Sequence, residues 1–237
     1  GYRNFATKLW NATRFCLMND CRQVADFDAN SLTLPVNRWI VGSVAETATK
    51  VGQSLDNFRF DDAAAAIYQF LWGTFCDWYL EFTKPVLKDG TAAEQAEIRA
   101  TTAFVLDRAL HLLHPVMPFL TEELFEQVRL QDGQRLIVSE WPDFAALELD
   151  DSAMVEIDQV IELITAIRSA RSDLNVPPSA MLEGLAIGAD ADTQAMLARQ
   201  DALICRLARL SSLTVTDGDV PKGAAQAVVG GLTIALP

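Results

Sequence analysis

The chain has 237 residues, of which 50% are hydrophobic and 22% charged, and its formal net charge is −13. This length can bury at least one full core and suggests one or two domains, and no apolar run approaches the roughly 20 residues that cross a bilayer. The acidity excludes indiscriminate binding to nucleic acid or anionic membrane, but salt screens each charge within about 8–10 Å, so a local basic patch is still compatible with it.

Residues 2–18 predict a helix with one apolar side and one polar side. At about 100° per residue, the apolar positions fall on one arc that includes Phe5, Leu9, Trp10 and Cys16. Trp10 is therefore expected to pack in the core. The same segment carries three basic residues and no acid, although the whole chain is strongly acidic.

Three more helices are predicted in the first half of the chain. One spans residues 37–55 and follows the pair 34–35, because proline disfavours helix in the residue before it. Another begins at the acidic pair 61–62, whose carboxylates suit a helix N-terminus, and runs through an aromatic stretch to a stop at residues 89–90. The third spans residues 94–113.

The segment "HPVMPFLTEELFEQV" is predicted to turn a corner and to start a new helix. His114 precedes a proline, so we expect it to end one helix as a packed corner residue rather than to act in catalysis. Thr121 is predicted as the N-cap of the next helix, with Leu120 and Phe125 forming a hydrophobic staple across its start.

Beyond about residue 148 the pattern changes to alternating helices and short strands. The predicted elements are helices over residues 152–173 and 191–210 and strands over residues 181–187, 213–216 and 232–236. The segment "NVPPS" should form a rigid, extended joint. The predicted fold class is therefore mainly α: a helical bundle over residues 1–148, followed by a small α/β module over residues 149–237.

The polar side of the first helix groups cations, amides and one aromatic ring. Its members are Arg3, Asn4, Lys8, Asn11, Arg14 and Phe15. Basic side chains neutralise phosphates, amides read base edges, and a ring offers a surface on which bases stack. The group favours an RNA-binding surface, with Arg14 and Phe15 as the leading contacts. The alternative is an ordinary solvated helix face whose Phe15 is covered by a neighbouring helix.

Two arginines fall within the apolar arc of the helix predicted over residues 152–173. Arg168 and Arg171 project there, and a buried unpaired charge is very costly. They are expected either to pair with carboxylates of the bundle or to face RNA at the junction of the two domains.

The sequence contains no motif of a self-contained catalyst. Phosphate-binding, nucleophile-elbow and metalloprotease signatures are missing, so no catalytic residues are predicted. Cys16, Cys21, Cys76 and Cys205 are scattered without a CxxC pair. These thiols are expected to be reduced in a cytoplasmic protein, and no metal site is predicted.

Several stretches resemble one family of RNA-binding domains. "RNFATKLWNATRF", "FRFDDAAAAIYQFLWGTFCDWYLEFTKP" and "LHPVMPFLTEELFE" are similar, in this order, to the anticodon-binding domain of class I aminoacyl-tRNA synthetases for aliphatic amino acids. Within that family, "FCDWYLEFTKP" and "IRSARSDLNVPPS" resemble the valyl enzymes. The likeness covers essentially the whole chain.

The resemblance implies a tRNA-recognition region separated from its catalytic part. The parent enzyme would attach valine to its tRNA with ATP and Mg²⁺, whereas this piece, which starts at Gly1 and lacks the family's catalytic signatures, would hold no cofactor. The expected partner is a valine-specific tRNA, without DNA or membrane, in a monomeric parent whose linker domain leads into a C-terminal coiled coil. The expected tRNA-binding residues are Arg3, Asn4, Lys8, Asn11, Arg14, Phe15, Arg168 and Arg171.

Two rival interpretations stay open at the level of sequence. One is the equivalent region of an isoleucyl enzyme, which the "DLNVPPS" linker disfavours. The other is an acidic helical adaptor that binds a protein partner, in which the cationic helix face is incidental. A salt-dependent affinity for RNA separates the adaptor from an RNA-binding domain.

Overall fold

A computed structural model describes residues 2–236, except for the side chain of Tyr2, and divides the chain into two compact units. The first unit ends at Met154 and the second begins at Val155. The helices of the first unit are α1 (Tyr2–Met18), α2 (Pro35–Asp56), α3 (Phe60–Gln69), α4 (Leu80–Asp89), α5 (Ala92–Leu113) and α6 (Pro118–Val128). The division between the units falls inside α7 (Asp151–Asp173).

The second unit combines α7 and one further helix with a small mixed sheet. Its remaining elements are β1 (Leu182–Ile187), α8 (Ala191–Ala208), β2 (Leu210–Thr216), β3 (Ala225–Val229) and β4 (Leu232–Leu236). The strand order is β2-β1-β4-β3, with β1 parallel to β2 and antiparallel to β4. The parallel pair needs the crossover helix α8, whereas β3 and β4 are joined by a tight turn. The prediction of a mainly helical chain with a small α/β module is confirmed.

One strand of this sheet was not predicted from the sequence. β3 reads "AQAVV", and alanine and glutamine have little preference for strands. The strand forms because it pairs with β4 along its length, from Ala225 opposite Leu236 to Val229 opposite Leu232. Gly230, with φ 57°, makes the turn between them in a conformation that favours glycine.

A π-helical stretch, Phe70–Tyr79, joins α3 and α4. Such a stretch closes i→i+5 hydrogen bonds and is rare beyond a single turn. The wider turn brings side chains five apart onto one side, and Phe70, Phe75 and Leu80 are all buried. The rings of Phe70 and Phe75 lie 6.5 Å apart at an interplanar angle of 27°. The aromatic helix expected here is therefore present, but its middle is wider than an α-helix.

The predicted cap of α6 is wrong. The helix begins at Pro118, three residues before Thr121, because proline is favoured in a first helical turn. Thr121 is instead fully buried and its hydroxyl donates to the Met117 carbonyl at 3.0 Å. His114 does end α5 at the corner, as predicted, and its Nδ1 lies 2.8 Å from Thr121 Oγ1.

Within residues 2–236, no helix has the length and apolar character that spanning a membrane requires.

Glu97 on α5 fastens the start of α2 to the bundle. Its carboxylate accepts from the backbone N–H groups of Thr33 (3.0 Å) and Leu34 (2.9 Å) and from Asn37 Nδ2 (2.9 Å). Burial opposes the charged form, but these bonds and one from the Thr33 hydroxyl outweigh it and lower the pKa of Glu97. The carboxylate is thus the stabilising form.

Acidification is expected to weaken the first unit. The pKa of Glu97 lies below its ordinary 4.5, and the Ser152 hydroxyl, the Ala153 N–H and Arg38 lower that of Asp150 to about 2. Each of these carboxyls has a lower pKa in the folded chain than in the unfolded chain. Its contribution to stability is therefore complete above the pKa of the unfolded chain and is lost as the pH falls through the pKa of the folded chain. The free energy of unfolding should therefore decrease as the pH is lowered below about 4.5. Urea titrations at several pH values between about 7 and 3 measure this decrease. Glu97→Gln should flatten this dependence, and an unchanged pH profile would contradict the assignment.

Candidate nucleic-acid interface

The buried side of α1 anchors the helix in the bundle. Phe5, Leu9, Thr13 and Cys16 are at most 4% exposed, as the apolar arc predicted. Trp10 is an exception, because 38% of its surface is exposed. The prediction that Trp10 packs in the core is therefore wrong. A position at the edge of the arc could not be assigned without knowing which neighbouring helix covers it.

Trp10 belongs to an exposed row of side chains, which we call the outer stripe. The outer stripe consists of Arg3, Thr7, Trp10, Arg14 and Met18, all exposed and spaced three or four residues apart on α1. Such spacing places side chains on one face of a helix. Among the ion pairs of residues 2–236, none involves Arg3 or Arg14. The outer stripe therefore presents two uncompensated cations beside a large aromatic ring.

A second row on α1, which we call the inner stripe, runs beside the π-helical stretch and α4. The inner stripe consists of Asn4, Lys8, Asn11 and Phe15. Lys8 Nζ lies 2.5 Å from Asp77 Oδ1 and 3.8 Å from the centre of the Trp72 ring. The first contact is an ion pair and the second a cation–π interaction. Lys8 is thus held in place, and its charge is largely balanced by Asp77.

Phe15 is half-buried. Its ring is therefore neither fully exposed for stacking nor fully covered by a neighbouring helix, which were the two alternatives predicted from the sequence. Lys84 Nζ on α4 lies 5.9 Å from the centre of its ring, and Lys84 also pairs with Glu81. The ring therefore keeps an accessible part but is bordered by a cation and a carboxylate. Asn11 and Asn4, about one and three turns from Phe15 along the same stripe, are exposed. The inner stripe offers two amides and part of an aromatic surface beside a paired lysine.

Sequence reasoning missed the residues that border the inner stripe. Asp77, Trp72 and Lys84 reach α1 from a helix that lies more than 50 residues further along the chain. Periodicity along one helix shows which side chains share a face but not which neighbours compensate their charges. The excess of aromatic residues in this region was the only available signal.

The two predicted arginines of α7 lie in the second unit, and each of them donates to backbone carbonyls. Arg171 is 6% exposed and donates to the carbonyls of Arg209 (3.1 Å), Pro177 (3.4 Å) and Ala180 (2.7 Å). Arg168 is exposed and its Nε donates to the Leu207 carbonyl at 3.0 Å. Carboxylate pairing of Arg171 is therefore wrong, and its buried guanidinium is occupied by the backbone.

The thiols and histidines of the described residues do not form a metal centre. No group of three or more His, Cys, Asp and Glu side chains within residues 2–236 is arranged to hold an ion. His111 Nδ1 lies 2.8 Å from the Asp107 carbonyl oxygen. Burial raises the pKa of Asp107 although His111 and Arg108 oppose this shift. This cluster is internal and connects α5 to Gln23, whose amide donates to Asp107 at 2.8 Å.

Comparison with known proteins points to one family. A family profile described as the anticodon-binding domain of tRNA ligase matches residues 37–186. The chain is 46% identical over 239 residues to the valine–tRNA ligase of Caulobacter vibrioides and 46% identical over 242 residues to that of Mesorhizobium japonicum. It is 45% identical over 241 residues to the valine–tRNA ligase of Agrobacterium fabrum. Each match covers 100% of the chain but only 25–26% of the relative, so the chain spans about a quarter of these relatives.

Proposed function

The chain belongs to the family of tRNA-ligase anticodon-binding domains, and we propose that its first unit binds the anticodon region of a tRNA. We place the contact on α1, which precedes the matched residues 37–186, because of its exposed side chains. The supporting observation is the outer stripe, which exposes Arg3 and Arg14 without ion-pair partners on a molecule of net charge −13. Because acidic residues outnumber basic ones by 32 to 19 over the chain, the chain as a whole repels the phosphates of RNA, and binding requires a local group of uncompensated cations. The favourable region for RNA is therefore narrow.

The two stripes suit different parts of the RNA. Arg3 and Arg14 of the outer stripe can neutralise phosphates, and the exposed Trp10 ring between them can stack on an unpaired base. Asn4 and Asn11 of the inner stripe are exposed, and their amides can form hydrogen bonds with the edges of unpaired bases. Phe15 adds a second, narrower stacking surface.

Lys8 takes a different role in this proposal from that of the two arginines. Its ammonium already contacts Asp77 at 2.5 Å, so a phosphate would have to compete with a carboxylate that is in place. We propose that Lys8 orients Asp77 and Trp72 beside the inner stripe. For Arg171, burial and three carbonyl partners favour a structural role, whereas the exposed Arg168 is the proposed tRNA contact of the second unit.

We further propose that the longer protein attaches valine to its tRNA. The three relatives above are named valine–tRNA ligases, which favours valine over isoleucine and an RNA ligand over a protein-binding adaptor. ATP with Mg²⁺ would act in the part of such a protein that lies outside this chain. The four free cysteines are consistent with a cytoplasmic location of the protein. The chain itself would contribute recognition rather than chemistry.

Arg14→Ala is expected to weaken binding of an anticodon stem-loop RNA about two- to ten-fold, the effect of losing one exposed charged contact of about 0.5–1.5 kcal/mol. The dependence of log K on log salt should become shallower by about 0.7, which corresponds to one phosphate on single-stranded RNA. Fluorescence anisotropy of labelled RNA at several salt concentrations measures both quantities. Melting temperature should hardly change because Arg14 is exposed and makes no ion pair.

Lys50→Ala supplies the matched control, since Lys50 is an exposed cation on α2. It should leave both the affinity and the salt slope within error of the parent chain. Equal losses in the two variants would mean that net charge alone sets the affinity, and the proposal that α1 is the contact would then be rejected.

A further inference from the structure

Cys16 and Cys21 form a buried pair of thiols at the C-terminal end of α1. Cys16 is 0% and Cys21 2% exposed, and each thiol is the leading influence on the pKa of the other. The Cys21 N–H donates to the Cys16 carbonyl at 2.9 Å, and the Asp20 N–H donates to the Leu17 carbonyl at 3.2 Å. These are the two bonds of a Schellman motif, in which the first and last side chains meet. The backbone at the helix end therefore brings Cys16 and Cys21 next to each other.

We propose that this pair is a site of reversible oxidation, at which a peroxide joins Cys16 and Cys21 in a disulfide. The sulfur of Cys21 attacks one peroxide oxygen, the O–O bond breaks, and a sulfenic acid forms with release of water. The sulfur of Cys16 then attacks the sulfenic sulfur, and the hydroxyl leaves as a second water. Two thiols and one hydrogen peroxide give one disulfide and two waters, so the two electrons lost by sulfur reduce the peroxide. A thiol reductant reverses the step by exchange.

The surroundings assign the attacking role to Cys21. The neighbouring Cys16 thiol lowers the pKa of Cys21, and the Thr102 hydroxyl and Arg99 act in the same direction, against burial. Cys21, together with burial, raises the pKa of Cys16. Because the thiolate is the nucleophile, Cys21 reacts first with the peroxide and Cys16 resolves the intermediate.

A weak point in the helix end gives a small oxidant access to the pair. Asp20 adopts φ 57°, a left-handed conformation that favours glycine and that a side chain makes less stable. Asp20 and Met18 are both exposed. Local opening of a helix end requires far less free energy than global unfolding, so the turn at Asp20 can admit hydrogen peroxide without loss of the bundle.

The other two cysteines are more exposed but less reactive. Burial raises the pKa of Cys76 to about 12, and burial together with Asp201 raises that of Cys205 to about 11. Both thiols are only half-buried, and exposure alone would rank them ahead of the pair. Cys76 and Cys205 are expected to react after the pair, because Cys21 combines a lowered pKa with a second cysteine beside it in the helix-end turn.

Peptide mass spectrometry of the full chain tests the proposal directly. Arg14 and Arg22 flank the pair, so trypsin releases both cysteines in one peptide, residues 15–22. After limited hydrogen peroxide treatment and alkylation of free thiols, this peptide should be lighter by two hydrogen atoms and unalkylated, while Cys76 and Cys205 are still alkylated. Dithiothreitol should restore alkylation. Oxidation of Met18 in the same peptide adds oxygen and is distinguished by mass.

Cys205→Ala is the matched control and should leave the rate of disulfide formation unchanged, whereas Cys16→Ala should abolish the disulfide and leave Cys21 as a sulfenic or higher acid. A disulfide between Cys16 and Cys76, oxidation of Cys76 or Cys205 before the pair, or a Cys21 that reaches a sulfinic acid in the parent chain without cross-linking would each overturn the proposal. The parent chain alone decides the matter if Cys16→Ala fails to fold.

Discussion

Asn37→Leu is expected to lower the free energy of unfolding of the first unit by about 3 kcal/mol, because more than one buried polar group would lose its hydrogen-bond partner. Asn37 is 0% exposed. Its Oδ1 accepts from the hydroxyl of Tyr79 at 2.8 Å and its Nδ2 donates to Glu97 at 2.9 Å. Leucine has a similar volume but neither polar group. The Tyr79 hydroxyl, which is also fully buried, would lose its acceptor.

A double-mutant cycle separates this network from simple loss of packing. Tyr79→Phe alone should cost about 1–2 kcal/mol, and in the Asn37→Leu background it should cost less, because the hydroxyl has already lost its acceptor. Urea unfolding followed by far-UV circular dichroism measures each corner of the cycle. Strictly additive losses would show that the two side chains do not act together.

Arg171→Met is expected to destabilise the second unit by about 2 kcal/mol. The Ala180 carbonyl would lose its donor, and the carbonyls of Arg209 and Pro177 would each keep only the backbone N–H of Leu182 or Ala180. The guanidinium holds Arg209, at the turn from α8 into β2, and Pro177 and Ala180, in the segment before β1. Arg209 has φ 57°, so this turn is already strained for a non-glycine residue. Hydrogen exchange of peptides from β1, α8 and β2 should accelerate.

The composition of the chain provides an internal reference for this experiment. All five tryptophans lie before residue 155, so tryptophan fluorescence follows the first unit and should change little in Arg171→Met. Arg206→Met, which removes an exposed arginine from the last turn of α8, is the matched control and should leave exchange in the sheet unaltered. If both variants accelerate exchange equally, the carbonyl contacts of Arg171 do not stabilise the unit.

Helical periodicity located most helices of this fold, but it did not assign every helix end and did not reveal where the helix is wider than an α-helix. α1 was predicted over the residues it occupies because apolar side chains recur along one arc of residues 2–18. Thr121 was assigned as a cap from its chemistry, but Pro118 starts the helix one turn earlier. The π-helical geometry of Phe70–Tyr79 depends on packing around the whole segment, which single-helix reasoning does not contain.

The polar face of α1 was predicted from the sequence, but the state of its charges was not. Arg3 and Arg14 are exposed as expected, whereas Asp77 pairs with Lys8 across 69 residues of sequence. Trp10 lies at the border between the apolar arc and the polar face, and only the position of the neighbouring helices decides to which it belongs. Arg171 likewise pairs with carbonyls that a tertiary fold brings near.

Oxidative footprinting of Trp10 tests most directly whether α1 is where RNA binds. Trp10 and Trp141 are 38% and 43% exposed, so hydroxyl radicals should modify both at comparable rates in the free chain. Saturating anticodon stem-loop RNA should protect Trp10 and leave Trp141 reactive. Unchanged modification of Trp10, at an RNA concentration that anisotropy shows to be saturating, would mean that the RNA binds elsewhere.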